Sequence, residues 1–161
     1  MIFIKLLGAG LIFMSSAFIG ILACSYESAR CRECSAFLEL IRYIRNEIAC
    51  YKTPIPKIIS SYSNKELSKC GFLTSFSLSW NEALDASYKN LHIDDETVTI
   101  LREFGEELGG PDCDGQLSCC DYYAAKLSQT VASIKEALPE KQKAYRTLSM
   151  VFGTLAVIIL M

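Results

Sequence analysis

The sequence predicts an all-α protein in which a cytoplasmic helical bundle is flanked by N- and C-terminal transmembrane helices. Apolar residues in the central part recur at intervals of three and four, which is the α-helical period, and no run alternates as a half-buried strand would. Uncharged apolar runs occupy residues 6–24 and 147–161. Without these runs, an ordinary charged domain remains. The predicted division is therefore residues 1–25, 26–143 and 144–161.

The two terminal runs differ in length. The first has 19 residues and, as a helix, would extend about 28 Å, close to the ~30 Å hydrocarbon thickness. The second has 15 residues and would reach about 22 Å, so it crosses only if Tyr145 and Arg146 lie at the interface; otherwise it is a buried core segment. Small residues spaced by four predict close helix packing in both runs: Ser16, Gly20 and Cys24, then Ser149 and Gly153.

Basic residues next to the runs predict the topology. Most lie on the side of the central domain: Arg30, Arg32, Lys135, Lys141, Lys143 and Arg146. Lys5 and the terminal amine lie on the other side, so the positive-inside rule places the central domain in the cytoplasm. An alternative is a lipoprotein signal that ends at Ala23-Cys24, which would make the chain an exported lipoprotein or a disulfide-bonded binding module.

Eight cysteines could form disulfides, ligate a metal or remain inert thiols. Cys31 and Cys34 form a CxxC on a predicted helix, whereas Cys119 and Cys120 are adjacent and lack the spacing of a second zinc knuckle. His92 is the only histidine and stands alone. We expect no metal or cofactor, and reduced, partly buried thiols in a cytoplasmic domain.

The central helices are predicted in order from spacing and caps. The first has an apolar face made of Phe37, Ile41, Ile44, Ile48 and Tyr51. Thr53-Pro54-Ile55-Pro56 ends it, with Thr53 as the cap of the next helix and Pro54 at its first position. Capping boxes are expected at Ser63-x-x-Glu66 and Ser79-x-x-Glu82.

The last two helices meet at a glycine-rich corner. One runs from about Asp94 to Leu108 and stops at Gly109-Gly110-Pro111. The other starts at about Gly115, and Pro139 should kink or restart it. Its apolar face comprises Leu117, Cys120, Ala124, Leu127, Val131, Ile134 and Leu138.

Charge and motifs argue against most other functions. Sixteen basic and eighteen acidic residues are scattered, which does not favour nucleic-acid binding. No nucleophile–base pair or phosphate-binding loop stands out, so we expect neither an enzyme nor a small-molecule substrate. Asp112 and Asp114 suit capping of the last helix or a polar contact surface. A membrane-tethered hydrolase or redox enzyme using Cys31 or Cys34 is the least favoured alternative.

Several segments together resemble the stage III sporulation protein AB family of endospore-forming bacteria. Lys5-Leu6-Leu7-Gly8-Ala9 is similar to its opening, and Trp80 stands where the family often has an aromatic residue. Glu47, Tyr51, Thr53 and Pro54 match another segment of the family, and we expect them to have a structural role. The most specific match is the FG-xxLG-xxD-xxxQ corner, carried here by Phe104, Gly105, Leu108, Gly109, Asp112 and Gln116.

The resemblance implies a multi-pass membrane component of the channel complex between mother cell and forespore, located on the mother-cell side of the outer forespore membrane. The family is also similar to the platform proteins of type II secretion and type IV pilus machines. Its implied partners are the ATPase-like stage III sporulation protein AA and other channel subunits. Gly105 and Gly109 would permit close helix approach at the interaction corner, and Asp112 and Gln116 would supply polar contacts.

Overall fold

The computed structural model of this chain describes residues 2–76, 79–110 and 113–160, apart from some side chains near both ends. These residues form seven α-helices and one short 3-10 helix, without a strand, which confirms the all-α prediction. The α-helices are α1 (Ile2–Tyr51), α2 (Ile55–Ser61), α3 (Lys65–Lys69), α4 (Phe72–Ser75), α5 (Trp80–Ser87), α6 (Asp95–Glu107) and α7 (Cys113–Leu160), and the 3-10 helix is Tyr88–Asn90.

The chain divides into two compact units. The terminal unit comprises Met1–Ala29 and Lys135–Met161, and the central unit comprises Arg30–Ile134. Helices α1 and α7 each contribute residues to both units.

In the terminal unit, the first half of α1 packs against the second half of α7. The Ser16 hydroxyl donates a hydrogen bond to the Ser149 carbonyl. A Cβ at Gly20 would lie 2.5 Å from Ser149 Oγ, so only glycine permits this approach. Further along, the Cys24 thiol lies 3.6 Å from the Gln142 carbonyl oxygen. The predicted close packing along Ser16, Gly20 and Cys24 is therefore confirmed.

The prediction of a transmembrane helix at each end is wrong. Among the described residues, no helix combines the length and the apolar character that crossing a membrane requires. A crossing helix needs roughly 20 consecutive apolar residues. In the second run, Thr147, Ser149 and Thr154 interrupt the apolar residues. The predicted flanking transmembrane helices are instead parts of two long helices, α1 and α7, which pack against each other in the terminal unit.

The core of the central unit follows the predicted helical faces, with one exception. Phe37, Ile41 and Ile44 are fully buried and Ile48 is nearly so, but Tyr51 is 73% exposed. Tyr51 is the last residue of α1, next to the segment that leads to α2. The buried positions predicted on α7 include Cys120, Leu127, Val131 and Ile134.

Aromatic rings join the helices of this core. Phe37 packs edge-on to Phe72 with ring centroids 5.1 Å apart, and Phe72 contacts Trp80 at 4.9 Å. Trp80 in turn contacts Phe104 at 5.0 Å, and Phe104 contacts Tyr123 at 5.6 Å. The chain of rings links α1, α4, α5, α6 and α7, so it fixes where α6 ends relative to its neighbours.

The helix caps agree only in part with the predictions. Asp94, predicted only as the approximate start of a helix, is the cap of α6, because its carboxylate accepts a hydrogen bond from the Thr97 amide at 3.3 Å. Asn64, rather than Ser63, caps α3 and accepts bonds from two amides. Ser79 precedes α5 but makes no side-chain cap bond. The cap of α2 is Pro54, not Thr53.

Helix α7 is longer than expected at its start and continuous through its proline. It begins at Cys113, two residues before the predicted start at Gly115, and continues through Pro139 to Leu160. The predicted restart at Pro139 does not occur.

Candidate interaction surface

Two segments that are distant in sequence meet at one end of the central unit. The first is the TPIP turn, residues 53–56, which connects α1 to α2. The second is the glycine corner, described over residues 104–110 and 113–116, between the end of α6 and the start of α7. Pro54, Ile55 and Gly109 line one cleft together, so the two segments form a continuous surface.

The end of α6 depends on Gly109. The Leu108 amide donates to the Phe104 carbonyl at 2.9 Å and completes the last turn. Gly109 then takes a φ of +100°, in the region that residues with a side chain rarely adopt. This left-handed residue turns the chain away from the helix axis, as glycine does at many helix ends.

Gly105 allows α6 to approach α5 closely. A Cβ at this position would overlap Trp80 Cδ1 and Asn81 Oδ1. The Trp80 indole is held at the same place because its Nε1 donates to the Leu101 carbonyl at 2.9 Å. Gly105 therefore lies close to α5, whereas a Cβ at Gly109 would have Ile55 Cδ1 as its nearest atom, at 3.9 Å.

The polar residues of the corner hold the start of α7. Gln116 Nε2 donates a hydrogen bond to the Gly110 carbonyl, so the amide side chain ties the first turn of α7 to the chain that precedes it. Asp114 is exposed in that first turn, where a carboxylate suits the helix dipole. Asp112 lies outside the described residues.

The predicted corner residues differ in accessibility. Phe104 is fully buried between Trp80 and Tyr123, so it supports the surface from below and cannot touch a partner. Gly109 is exposed, whereas Leu108 is half-buried.

Three clefts surround the TPIP turn. The lysine cleft, of about 320 Å³, is lined by Ile48, Lys52, Thr53, Pro54, Ile55, Pro56, Gly109, Cys113 and Gln116. The tryptophan cleft, of about 290 Å³, is lined by Ile55, Pro56, Phe76, Ser79, Trp80, Gly105, Leu108 and Gly109. The tyrosine cleft, of about 510 Å³, is lined by Tyr43, Glu47, Tyr51, Thr53, Lys57, Ile58 and Ser61. Ile55 and Pro56 line both of the first two clefts and separate them.

The motif at the end of α1 shapes the TPIP turn. The Thr53 hydroxyl donates to Glu47 Oε2 at 3.3 Å, which connects the turn to the helix it leaves. The sequence-based prediction overlooked Lys52, which takes a left-handed φ of +51°. Its amide still donates to the Ile48 carbonyl at 3.2 Å. A lysine at a helix end where glycine or asparagine is usual could have indicated the turn.

Three of the cysteines are poorly reactive thiols. All eight, each within the described residues, are free thiols. Burial raises the pKa of Cys34 to about 12 and that of Cys120 to about 12, while burial and Glu107 raise the pKa of Cys119 to about 11. Reactive thiols have lowered pKa values, so these three are poor nucleophiles.

His92 is not isolated, contrary to the sequence-based interpretation. Its backbone amide donates to Glu33 Oε2 at 2.6 Å, and its Nδ1 lies 2.7 Å from Glu33 Oε1. Glu33 is only 5% exposed on α1. Its position four residues before Phe37, on the buried face, was the available signal. The pair holds the segment before α6 against α1.

Comparison with protein families shows where the chain belongs. A sequence model of stage III sporulation protein AB matches residues 5–75 and 72–161. The chain belongs to the stage III sporulation protein AB family. Neither a curated protein nor a solved structure matches it.

Membership of the stage III sporulation protein AB family assigns the chain a role in stage III of sporulation. The TPIP turn falls in the first matched range and the glycine corner in the second. The resemblance predicted from these two segments is therefore confirmed over nearly the whole chain.

Proposed function

We propose that this stage III sporulation protein AB family member is a non-catalytic scaffold of the channel complex between mother cell and forespore. It docks the ATPase-like stage III sporulation protein AA through the lysine and tryptophan clefts. It works on the mother-cell side of the outer forespore membrane, in a role like that of the platform proteins of type II secretion and type IV pilus machines.

The observation that carries the proposal is the convergence of the TPIP turn and the glycine corner on one exposed surface. The core below fixes its shape through Phe104 and Trp80, and Gly109 sets the direction of the chain at its edge. Pro54, Ile55, Pro56 and Leu108 contribute apolar side chains to the lining. Such a surface suits contact with another protein, where a few well-packed apolar residues supply most of the binding energy.

Pro56→Glu tests the docking surface with little risk to the fold. Pro56 is exposed and lies at the start of α2, where a carboxylate is favourable to the helix dipole. It lines both clefts, so the substitution places a charge in an apolar contact. We expect the full chain to bind purified protein AA about 30-fold more weakly, the effect of losing a central contact.

Ser60→Glu is the matched control. It adds a negative charge to an exposed position of the same helix but lines none of the three clefts. This variant should bind like the unaltered chain. Equal binding by Pro56→Glu and Ser60→Glu, or no binding of protein AA by the unaltered chain, would overturn the proposed function.

A further inference from the structure

We propose that Lys52 makes the lysine cleft selective for a segment of the partner that carries a carboxylate beside an apolar side chain. This inference rests on the proposed function, since it names the chemistry that the docked segment must have. It goes further by assigning to one residue, outside the motifs that resemble the family, the choice of what binds.

The charge of the lysine cleft supports this selectivity. Among the described residues that line it, Lys52 is the only one with a formal charge, whereas Ile48, Pro54, Ile55 and Pro56 are apolar. No carboxylate within the described part of the chain forms an ion pair with Lys52. As far as the described residues show, the ammonium group at the edge of this apolar cleft faces no carboxylate of the chain, which suits pairing with a partner's carboxylate; complementary charges of this kind select partners and speed association.

The backbone conformation of Lys52 also supports this role. Its φ of +51° is the only positive φ outside glycine in the described residues. Glycine or asparagine would adopt this conformation more easily at a helix end. Strained positions of this kind cluster at binding sites, where the surrounding structure holds them. Here the amide of Lys52 still bonds to Ile48, so the turn keeps the residue at the cleft.

The neighbouring tryptophan cleft suits the apolar part of the same bound segment. The described residues that line it carry no charge, and it adjoins the lysine cleft at Ile55 and Pro56. An extended segment lying across both clefts would place apolar side chains beside Trp80 and Leu108 and its carboxylate beside Lys52. The two clefts thus place the apolar side chains of the bound segment on one side of Ile55 and its carboxylate on the other.

The test uses Lys52→Asn in the full chain with purified protein AA as the probe. Asparagine tolerates a left-handed φ, so the fold should be unchanged while the charge is lost. We expect about tenfold weaker binding at low salt, and a salt dependence smaller than that of the unaltered chain. Lys89→Asn is the matched control, because it removes an exposed lysine from the 3-10 helix, away from the clefts.

The outcomes separate this inference from the proposed function. If Pro56→Glu weakens binding but Lys52→Asn matches Lys89→Asn in affinity and salt dependence, the role of Lys52 is overturned and the docking surface stands. If Pro56→Glu also has no effect, both are overturned. Self-association of the chain that Lys52→Asn abolishes, with binding of protein AA unchanged, would identify a second copy as the occupant and overturn the inference as well.

Discussion

Gly105 shows how one residue position controls the surface above it. The absence of a side chain there lets α6 contact Trp80 and Asn81. Its place in a motif was visible in the sequence, but the neighbour that it contacts was not. Spacing along one helix reports which face is buried and not which other helix covers that face.

Gly105→Ala should destabilise the central unit. The added methyl group would overlap Trp80 Cδ1 and force α5 and α6 apart, disturbing the indole bond to Leu101. We expect a loss of about 1–3 kcal/mol in the free energy of unfolding, measured by urea denaturation. Gly10→Ala is the control, since no atom of the described residues lies within 4 Å of the added group, and it should be neutral or slightly stabilising. Equal stability of the two variants would contradict the close approach.

Other single residues mark the limit of sequence reasoning. Tyr51 fits the apolar face of α1 by spacing and yet is 73% exposed at the last residue of the helix. His92 has no neighbour in sequence that could reveal Glu33, 59 residues earlier. Long-range contacts of this type depend on the assembled fold and not on local pattern.

At the scale of elements, the start of α6 combines a cap and an ion pair. Asp94 accepts bonds from Thr97 and lies 2.5 Å from Arg30 on α1. Burial alone would raise the pKa of Asp94, but the bonds from Thr97 and the charge of Arg30 outweigh it and lower the pKa below its usual range. The cap was predictable from local sequence, whereas its partner on another helix was not.

Asp94→Asn should make stability less sensitive to acid. Because the pKa of Asp94 is lower in the folded state than in the unfolded state, the folded state binds fewer protons. Its contribution to stability is therefore present above the unfolded pKa of about 3.9 and is lost as the pH falls through the folded pKa. Asparagine still caps a helix but cannot pair with Arg30, so the variant should be less stable at pH 7.

The measurement is urea unfolding of the unaltered chain and of Asp94→Asn between pH 7 and pH 3. The difference in the free energy of unfolding should shrink as the pH falls. Asp95→Asn removes the next acid in the chain and leaves the contact of Asp94 with Arg30 in place, so it should keep the acid-sensitive contribution. A difference that stays constant over this range would show that the charge of Asp94 is not involved.

Element lengths also show which patterns carry information. The long helices and the end of α6 followed from periodicity and from Gly109. The short helices α2, α3 and α4 have seven, five and four residues, too few for a clear period, and their caps were misplaced or undetected. The lack of charge in the terminal runs predicts membrane-spanning helices, but among the described residues no helix meets the requirement for crossing.

At the scale of the whole molecule, two segments that are distant in sequence form the proposed interaction surface. The sequence pointed to the TPIP turn and the glycine corner individually, through their resemblance to one family. Only the folded structure shows that both segments line the same cleft. Their meeting depends on the packing of the helices around Phe37, Phe72 and Trp80, which are far apart in sequence. Their shared surface is the basis of the proposed function.

The most direct test of this surface is sporulation in the parent organism after its chromosomal copy is replaced by Pro56→Glu or by Ser60→Glu. With both variants present at normal levels, the account predicts that Pro56→Glu lowers the count of heat-resistant spores to that of a strain lacking the chain, whereas Ser60→Glu supports normal sporulation. Normal spore counts with Pro56→Glu would contradict the claim that the surface at the TPIP turn and the glycine corner performs the function.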